Sequence, residues 1–171
     1  MDEPLVTMDA EWGPSQRLSD VFAHPWNMTL GAIQDNNLVK SISRRMAEQN
    51  KALGINYNFA PSVDVNNNSK NPIIGNRSFG EDPENVYLKA KAYLDGHKEA
   101  GIFTSVKHFP GHGDTDKDSH KTLPVINGNM KRLNEVELYP FKKLIDDGVV
   151  ESVMTCLLYT SPSPRDTRVS R

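Results

Sequence analysis

The densest group of chemically active side chains in this sequence lies in residues 107–124, KHFPGHGDTDKDSHKTLP. The segment combines histidines and lysines with three aspartates at every second position, and it follows an apolar run that is typical of a strand. Pro110, Gly111 and Gly113 argue against a helix, so a long loop at the carboxyl end of a strand is predicted. Long loops in compact domains usually carry function.

Metal binding is the first chemistry that these residue types suggest. A Ca²⁺ loop counted from Asp114 needs Gly at its sixth position and Glu at its twelfth, where the chain has Ser119 and Val125. The HxxxH spacing of His108 and His112 suits Zn²⁺ on a helix, which the prolines and glycines of the loop prevent. We therefore predict no metal and no cofactor. In the alternative of a metal site, the ligands would come from His108, His112, Asp114, Asp116, Asp118 and His120.

Two other interpretations of the loop remain open on the residues alone. The first is structural, with Asp and Ser side chains capping turns and histidines bonded to the backbone. The second is proton transfer by Asp118 and His120, which can face one site if the segment is extended or tightly turned. The carboxylate would then hold the imidazole tautomer and stabilise its cationic form.

A repeated unit of helix, glycine and apolar strand must position this loop. Gly54, Gly101 and Gly148 recur at intervals of 47 residues, each where a helix would end in a left-handed residue. Helices are predicted over Asn36–Leu53, over Asp82–Ala100 with Asp82 as N-cap, and over Glu135–Asp147, which Pro140 disturbs. Strands are predicted at Pro4–Asp9, Ile55–Ala60, Ile102–His108 and Val149–Thr155.

Such βα repeats build parallel sheets, and two architectures fit them, a (β/α)8 barrel and an open doubly wound sheet. Polar residues follow successive strands here, and a barrel gathers all strand ends at one mouth. An open sheet usually carries a Gly-rich phosphate turn, and neither GxGxxG nor GxxxxGK[ST] is present. We predict an α/β fold, a partial (β/α)8 TIM barrel. Its strand-end polar residues are Asp9, Glu11, Asp64, Lys107 and His108.

Composition limits the partners and the size of the molecule. The 171 residues suffice for one domain, and the formal net charge of −2 predicts neither a nucleic-acid nor an anionic-membrane partner. No apolar run is long enough to span a membrane, and the single cysteine excludes an internal disulfide. No secretory signal is visible, and since Pro4–Asp9 already has the pattern of a strand, we expect the chain to begin inside a longer protein of unassigned compartment.

The last sixteen residues, CLLYTSPSPRDTRVSR, differ from the rest of the chain. They show no helical or alternating period and are compatible with a Ser/Pro-rich linker. CLLYTSPSPRD also closely resembles the translation of a transposase sequencing adapter, and this is the interpretation we favour. The expected organisation is a domain over residues 1–155 and a non-native tail over residues 156–171.

Three motifs together resemble the N-acetylglucosaminidase branch of glycoside hydrolase family 3. KHFPGHGDTDKDSH followed by LP resembles the signature of that branch. MDAEWGPSQRL resembles the family element DxExGxxxRL, and NFAPSVDVNNNSKNPIIGNRSFGEDPENV resembles NFAPVxDV…RSFGxD. The resemblance covers essentially Leu5 to Thr155, with the motifs in the family's order. Trp12 departs from the pattern, because the family usually has a second glycine at that position.

The resemblance implies retaining hydrolysis of terminal β-N-acetylglucosaminides. Asp118 and His120 would form the acid/base dyad, and the nucleophilic aspartate would follow Thr155, so this chain alone is expected to be inactive. The substrate would be a small carbohydrate containing N-acetylglucosamine, and no cofactor is implied. The alternatives are another family 3 activity, such as a β-glucosidase, a xylosidase or a phosphorylase, and a non-catalytic sugar-binding barrel. Sugar hydroxyls would be bound by Asp9, Arg17, Arg77, Lys107 and His108.

Overall fold

The computed structural model describes residues 4–114 and 130–156 of the chain. Five short strands and five α-helices lie in these ranges. The strands are β1 (Thr7–Met8), β2 (Tyr57–Asn58), β3 (Phe103–Thr104), β4 (Val106–Phe109) and β5 (Val153–Thr155). The helices are α1 (Asn27–Gly31), α2 (Asn36–Ala52), α3 (Pro83–Ala100), α4 (Met130–Glu135) and α5 (Tyr139–Asp146), with 3-10 turns at Pro14–Gln16 and Gly75–Arg77.

All strand pairs among the described residues are parallel, as the repeat predicts. β1, β2 and β3 form one sheet in that order, and β4 pairs with β5. The predicted strand Ile102–His108 is divided at Ser105, whose N–H donates to the carbonyls of Asn58 and Ala60, both at 3.2 Å. A parallel bridge from Ser62 to Lys107 joins the two sheets. The fold is therefore α/β with strands adjacent in chain order, and the described residues do not close a barrel.

The helix ends follow the predicted signals. The Asp82 carboxylate accepts hydrogen bonds from the N–H groups of Glu84 and Asn85, so α3 begins at a true N-cap with Pro83 in its first turn. The three evenly spaced glycines have φ angles of 78°, 76° and 66°. A residue with a Cβ would be strained in that left-handed conformation, which explains glycine at each helix end.

Two helical predictions need correction. The helical spacing of Leu38, Ile42 and Met46 predicts the apolar face of α2, but Leu38 is 49% exposed. The buried face is instead Val39, Ser43, Met46, Ala47 and Asn50, because it is the face that meets α3. A Cβ on Gly96 of α3 would lie 2.5 Å from the Lys40 carbonyl oxygen, so the two helices touch through their backbones.

The predicted helix Glu135–Asp147 corresponds to α5, which begins only at Tyr139, and the preceding helix α4 was not predicted. Pro140 lies in the first turn of α5, where its missing N–H costs no hydrogen bond. The core lies between the helices and the strands, and it includes the residues that share one face of α3 by helical spacing: Val86, Ala90, Tyr93, Leu94 and His97. Within the described ranges, no helix combines the length and the apolar character needed to cross a membrane.

Candidate active site

A polar pocket of about 440 Å³ opens where β1 and β4 end. The 3-10 turn Gly75–Arg77 forms one of its sides, and Met154 of β5 contributes an apolar contact. Parallel strands end at the same edge of a sheet, so residues distant in sequence meet here. The lining side chains are Asp9, Glu11, Trp12, Gln16, Arg17, Ile73, Arg77, Lys107, His108, His112 and Met154.

Lys107 is the cation at the centre of the pocket. Its side chain is 2% exposed, and its Nζ lies 2.8 Å from Asp9 Oδ1 and 2.8 Å from Glu11 Oε1. Arg17 Nη2 binds the other oxygen of Asp9 at 3.0 Å. The ammonium group is therefore held between two carboxylates, and Asp9 is oriented through both of its oxygens.

Glu11 is a site residue that the sequence prediction did not include among the sugar ligands. Its carboxylate is 1% exposed and receives a two-pronged contact from Arg77, with Nη2 to Oε1 at 2.7 Å and Nε to Oε2 at 3.0 Å. Such fork-to-fork pairs fix geometry as well as charge. The signal was its position two residues after Asp9 in the same strand-end motif.

His108 is oriented by a second buried carboxylate, Asp64. His108 Nδ1 lies 2.7 Å from Asp64 Oδ2, which also accepts from Ser62 Oγ at 2.8 Å. His108 Nε2 faces Arg77 Nη2 at 3.3 Å. Because a guanidinium group only donates, Nε2 is the acceptor and the ring proton sits on Nδ1. His108 therefore binds and orients in this arrangement, and it is not placed to give up a proton at Nε2.

Charges and hydrogen bonds together keep all three carboxylates of the site ionised. Burial by itself would raise the pKa of Asp9 and of Glu11, but hydrogen bonds and charges from Lys107, Arg17 and Arg77 outweigh it and lower both. Burial would also raise the pKa of Asp64, yet its interaction with His108 and its hydrogen bonds hold that pKa well below the ordinary range. The pocket thus presents fixed anionic acceptors interleaved with cationic donors.

One aromatic ring, that of Trp12, forms part of the pocket wall. Trp12 lines the pocket and stacks on Trp26, with ring centroids 3.9 Å apart and an interplanar angle of 21°. The residue that departs from the family motif therefore packs against another aromatic ring and also contributes to the pocket wall.

The first described residues of the long loop lie beside this pocket, which His112 lines. A Cβ on Gly113 would lie 1.8 Å from the Val65 carbonyl oxygen, so only glycine fits that approach. Asn71 Nδ2 donates to the His112 carbonyl at 2.6 Å. Arg132 Nη2, near the start of α4, lies 2.9 Å from Asp114 Oδ2, which ties the two described ends of the loop together.

The structure brings together all five residues predicted to bind sugar: Asp9, Arg17, Arg77, Lys107 and His108. The predicted dyad, Asp118 and His120, lies outside the described residues, as does Asp116 of the metal alternative. Within residues 4–114 and 130–156, no group of three or more His, Cys, Asp or Glu side chains is placed to hold a metal ion.

Comparison with known proteins identifies the family. Residues 3–170 match the glycosyl hydrolase family 3 N terminal domain, and the chain belongs to that family. It is 36% identical over 156 residues to beta-hexosaminidase A of Pseudoalteromonas piscicida, covering 88% of this chain and 26% of that protein. The chain therefore spans about a quarter of the length of this curated relative.

Solved structures show the same fold. A family 3 β-N-acetylglucosaminidase from Paenibacillus sp. str. FPU-7 superposes with a TM-score of 0.85 at 44% identity, over 90% of this chain and 29% of that one. NagZ from Neisseria gonorrhoeae, solved in complex with N-trifluoroacetyl-D-glucosamine, superposes with a TM-score of 0.81 at 31% identity, over 90% of this chain and 47% of that one.

Proposed function

We propose that this chain forms the sugar-binding half of a retaining β-N-acetylglucosaminidase. The observation that carries the proposal is the convergence of Asp9, Glu11, Arg77 and Lys107 in one pocket at the strand ends. Relatives and structural neighbours named as β-hexosaminidases and β-N-acetylglucosaminidases support the same activity. The substrate would be a small carbohydrate with a terminal N-acetylglucosamine.

The charge pattern of the pocket suits a pyranose ring with neighbouring hydroxyl groups. Carboxylates accept hydrogen bonds from hydroxyls, and ammonium and guanidinium groups donate to them. Asp9 would supply acceptors for the sugar hydroxyls, and Arg17, Arg77 and Lys107 would supply donors. His108 would also contact the sugar, and its bond to Asp64 would hold the imidazole in one orientation and one tautomer.

Proton transfer is assigned to Asp118 and His120 of the long loop. In the first step an aspartate outside this chain attacks the anomeric carbon while His120 protonates the departing glycosidic oxygen. In the second step His120 takes a proton from water, which attacks the same carbon and releases the aspartate with net retention. A histidine can do both near neutral pH because its ordinary pKa is about 6.5. Asp118 would stabilise the imidazolium form.

The finer architecture proposed is a (β/α)8 TIM barrel over residues 1–155, with residues 156–171 as a non-native tail. Adjacent parallel strands in chain order and helices α2, α3 and α5 packed side by side support the barrel. In a barrel the pocket faces the mouth, where the eight βα loops of such enzymes supply catalytic residues. Sequencing the gene beyond codon 155 tests whether residues 156–171 are a non-native tail. Recovery of CLLYTSPSPRDTRVSR in an uninterrupted reading frame would refute that proposal.

We expect the 171-residue chain by itself to show no turnover of a chromogenic β-N-acetylglucosaminide. The reason is the proposed location of the nucleophile outside the chain. The full-length enzyme, assayed in parallel, should hydrolyse the same compound at a rate independent of phosphate. Hydrolysis by the 171-residue chain would contradict the assignment of the nucleophile, and a rate proportional to phosphate would instead indicate a phosphorylase.

A further inference from the structure

A buried side-chain amide, that of Asn58, forms two hydrogen bonds with the backbone between two carboxylates of the site. Asn58 Oδ1 accepts from the Ala10 N–H at 3.0 Å, and Asn58 Nδ2 donates to the Ala10 carbonyl at 3.1 Å. Ala10 lies between Asp9 and Glu11, and both Ala10 and Asn58 are fully buried. The Asn58 side chain therefore satisfies both the N–H and the carbonyl of Ala10, the residue between the two carboxylates in the sequence.

The hydrogen bonds of His97 determine its tautomer. Ser43 Oγ lies 2.6 Å from the Tyr93 carbonyl oxygen and 2.8 Å from His97 Nδ1. A hydroxyl has one hydrogen and the carbonyl can only accept, so Ser43 donates to Tyr93 and accepts from an Nδ1–H. Burial lowers the pKa of His97 to about 3, so the ring is neutral and Nε2 carries a lone pair.

That lone pair favours the same orientation of the Asn58 amide that the Ala10 N–H and carbonyl require. His97 Nε2 lies 3.0 Å from Asn58 Nδ2. An amide nitrogen donates to a lone pair, whereas an amide oxygen there would be repelled, so the nitrogen must face the ring. Stacking against Tyr93, with centroids 4.4 Å apart and planes at 17°, holds the imidazole in place.

We propose that Ser43, His97 and Asn58 form a positioning relay that aims Asp9 and Glu11 at the sugar. This inference rests on the proposed function of the pocket. None of the three residues lines the pocket, and all three are fully buried, so they act through Ala10 and not by touching substrate. The tautomer of His97 sets the orientation of Asn58, and Asn58 sets the direction in which the two carboxylates leave the strand end.

Two substitutions at one position separate this relay from ordinary packing. In His97→Gln the side-chain amide reaches the position of Nε2 and can still accept a hydrogen bond from Asn58, but the hydrogen bond to Ser43 is lost. In His97→Asn the shorter amide reaches only the position of Nδ1, so it keeps the hydrogen bond to Ser43 and loses the hydrogen bond from Asn58. Each variant gives up the ring stacking with Tyr93 and one hydrogen bond, so both should lower the melting temperature by similar amounts.

The relay predicts unequal effects in the full-length enzyme. His97→Asn should lose about 10–100-fold in kcat/KM, the loss expected when groups are misplaced by about an ångström, and amide exchange at Ala10 should accelerate. His97→Gln should keep protection of the Ala10 amide and most of kcat/KM. Equal losses in both variants, or retained Ala10 protection in His97→Asn, would overturn the proposal.

A milder variant covers the case in which His97→Asn does not fold. Ser43→Ala removes the partner that selects the Nδ1–H tautomer, so it should weaken Ala10 protection and kcat/KM in the same direction. Ser43→Ala that equals wild type in both readouts would also overturn the relay. If wild type shows no turnover, the proposed function fails, while the exchange comparison still decides whether the relay exists.

Discussion

Replacing Glu11 by alanine is expected to lower the free energy of unfolding by about 3–5 kcal/mol, as removal of one partner from a buried ion network does. The substitution leaves Lys107 and Arg77 without their shared carboxylate, and Lys107 is 2% exposed. Part of the network remains, because Asp9 still faces Lys107 at 2.8 Å. Urea unfolding of the full-length enzyme measures the change. Binding of N-acetylglucosamine, measured by calorimetry, should weaken at the same time.

An exposed ion pair provides the matched control. Glu99 lies 2.6 Å from Lys40 on the outer surfaces of α3 and α2, and both side chains are more than a third exposed. Such pairs contribute about 0–1 kcal/mol, because water and salt screen them. Glu99→Ala should therefore change stability by less than about 1 kcal/mol. If Glu11→Ala is no more destabilising than Glu99→Ala, the buried network does not hold the site together.

Replacing His120 by alanine should reduce activity on substrates with poor leaving groups by about 10²–10⁴-fold, the usual contribution of a general acid. An activated aryl leaving group departs without a proton, so its cleavage should fall far less. The measurement is kcat/KM of the full-length enzyme on a series of aryl β-N-acetylglucosaminides of increasing leaving-group pKa. The variant should show a steeper dependence on that pKa than wild type.

The contrast between leaving groups is the decisive comparison within this experiment. A variant that is merely misfolded or unable to bind sugar loses activity on every substrate by a similar factor. Equal losses across the series would therefore remove His120 from the role of acid. Asp118→Asn should shift the series in the same direction by a smaller amount, because the imidazole remains and only its partner changes.

Local signals in the sequence predicted those parts of the fold that depend on a few neighbouring residues. Asp82, Pro83 and Gly101 predicted the ends of α3 because caps and left-handed residues act within one helical turn. Strand positions followed from apolar runs after each glycine. The apolar spacing in α2 predicted its buried face only in part, because α2 contacts α3 backbone to backbone at Gly96 and apolar side chains give no signal for such a contact.

The site residues likewise fall into those that sequence motifs predicted and those that only tertiary contacts reveal. Motif resemblance pointed to Asp9, Arg17, Arg77, Lys107 and His108, and the structure places them in one pocket. Glu11 was predicted only as a polar residue at a strand end, because its spacing from Asp9 does not reveal that tertiary contacts bury its carboxylate against two cations. The orienting carboxylate Asp64 and the relay through His97 are likewise products of tertiary contacts, with partners 44 and 39 residues away.

The stereochemistry of the first product tests the central claim most directly. The full-length enzyme is mixed with an aryl β-N-acetylglucosaminide in an NMR tube, and the anomeric proton of the released sugar is followed before mutarotation. A retaining mechanism through a glycosyl-enzyme predicts that β-N-acetylglucosamine forms first. Initial release of the α-anomer, or no release of N-acetylglucosamine at all, would contradict the account.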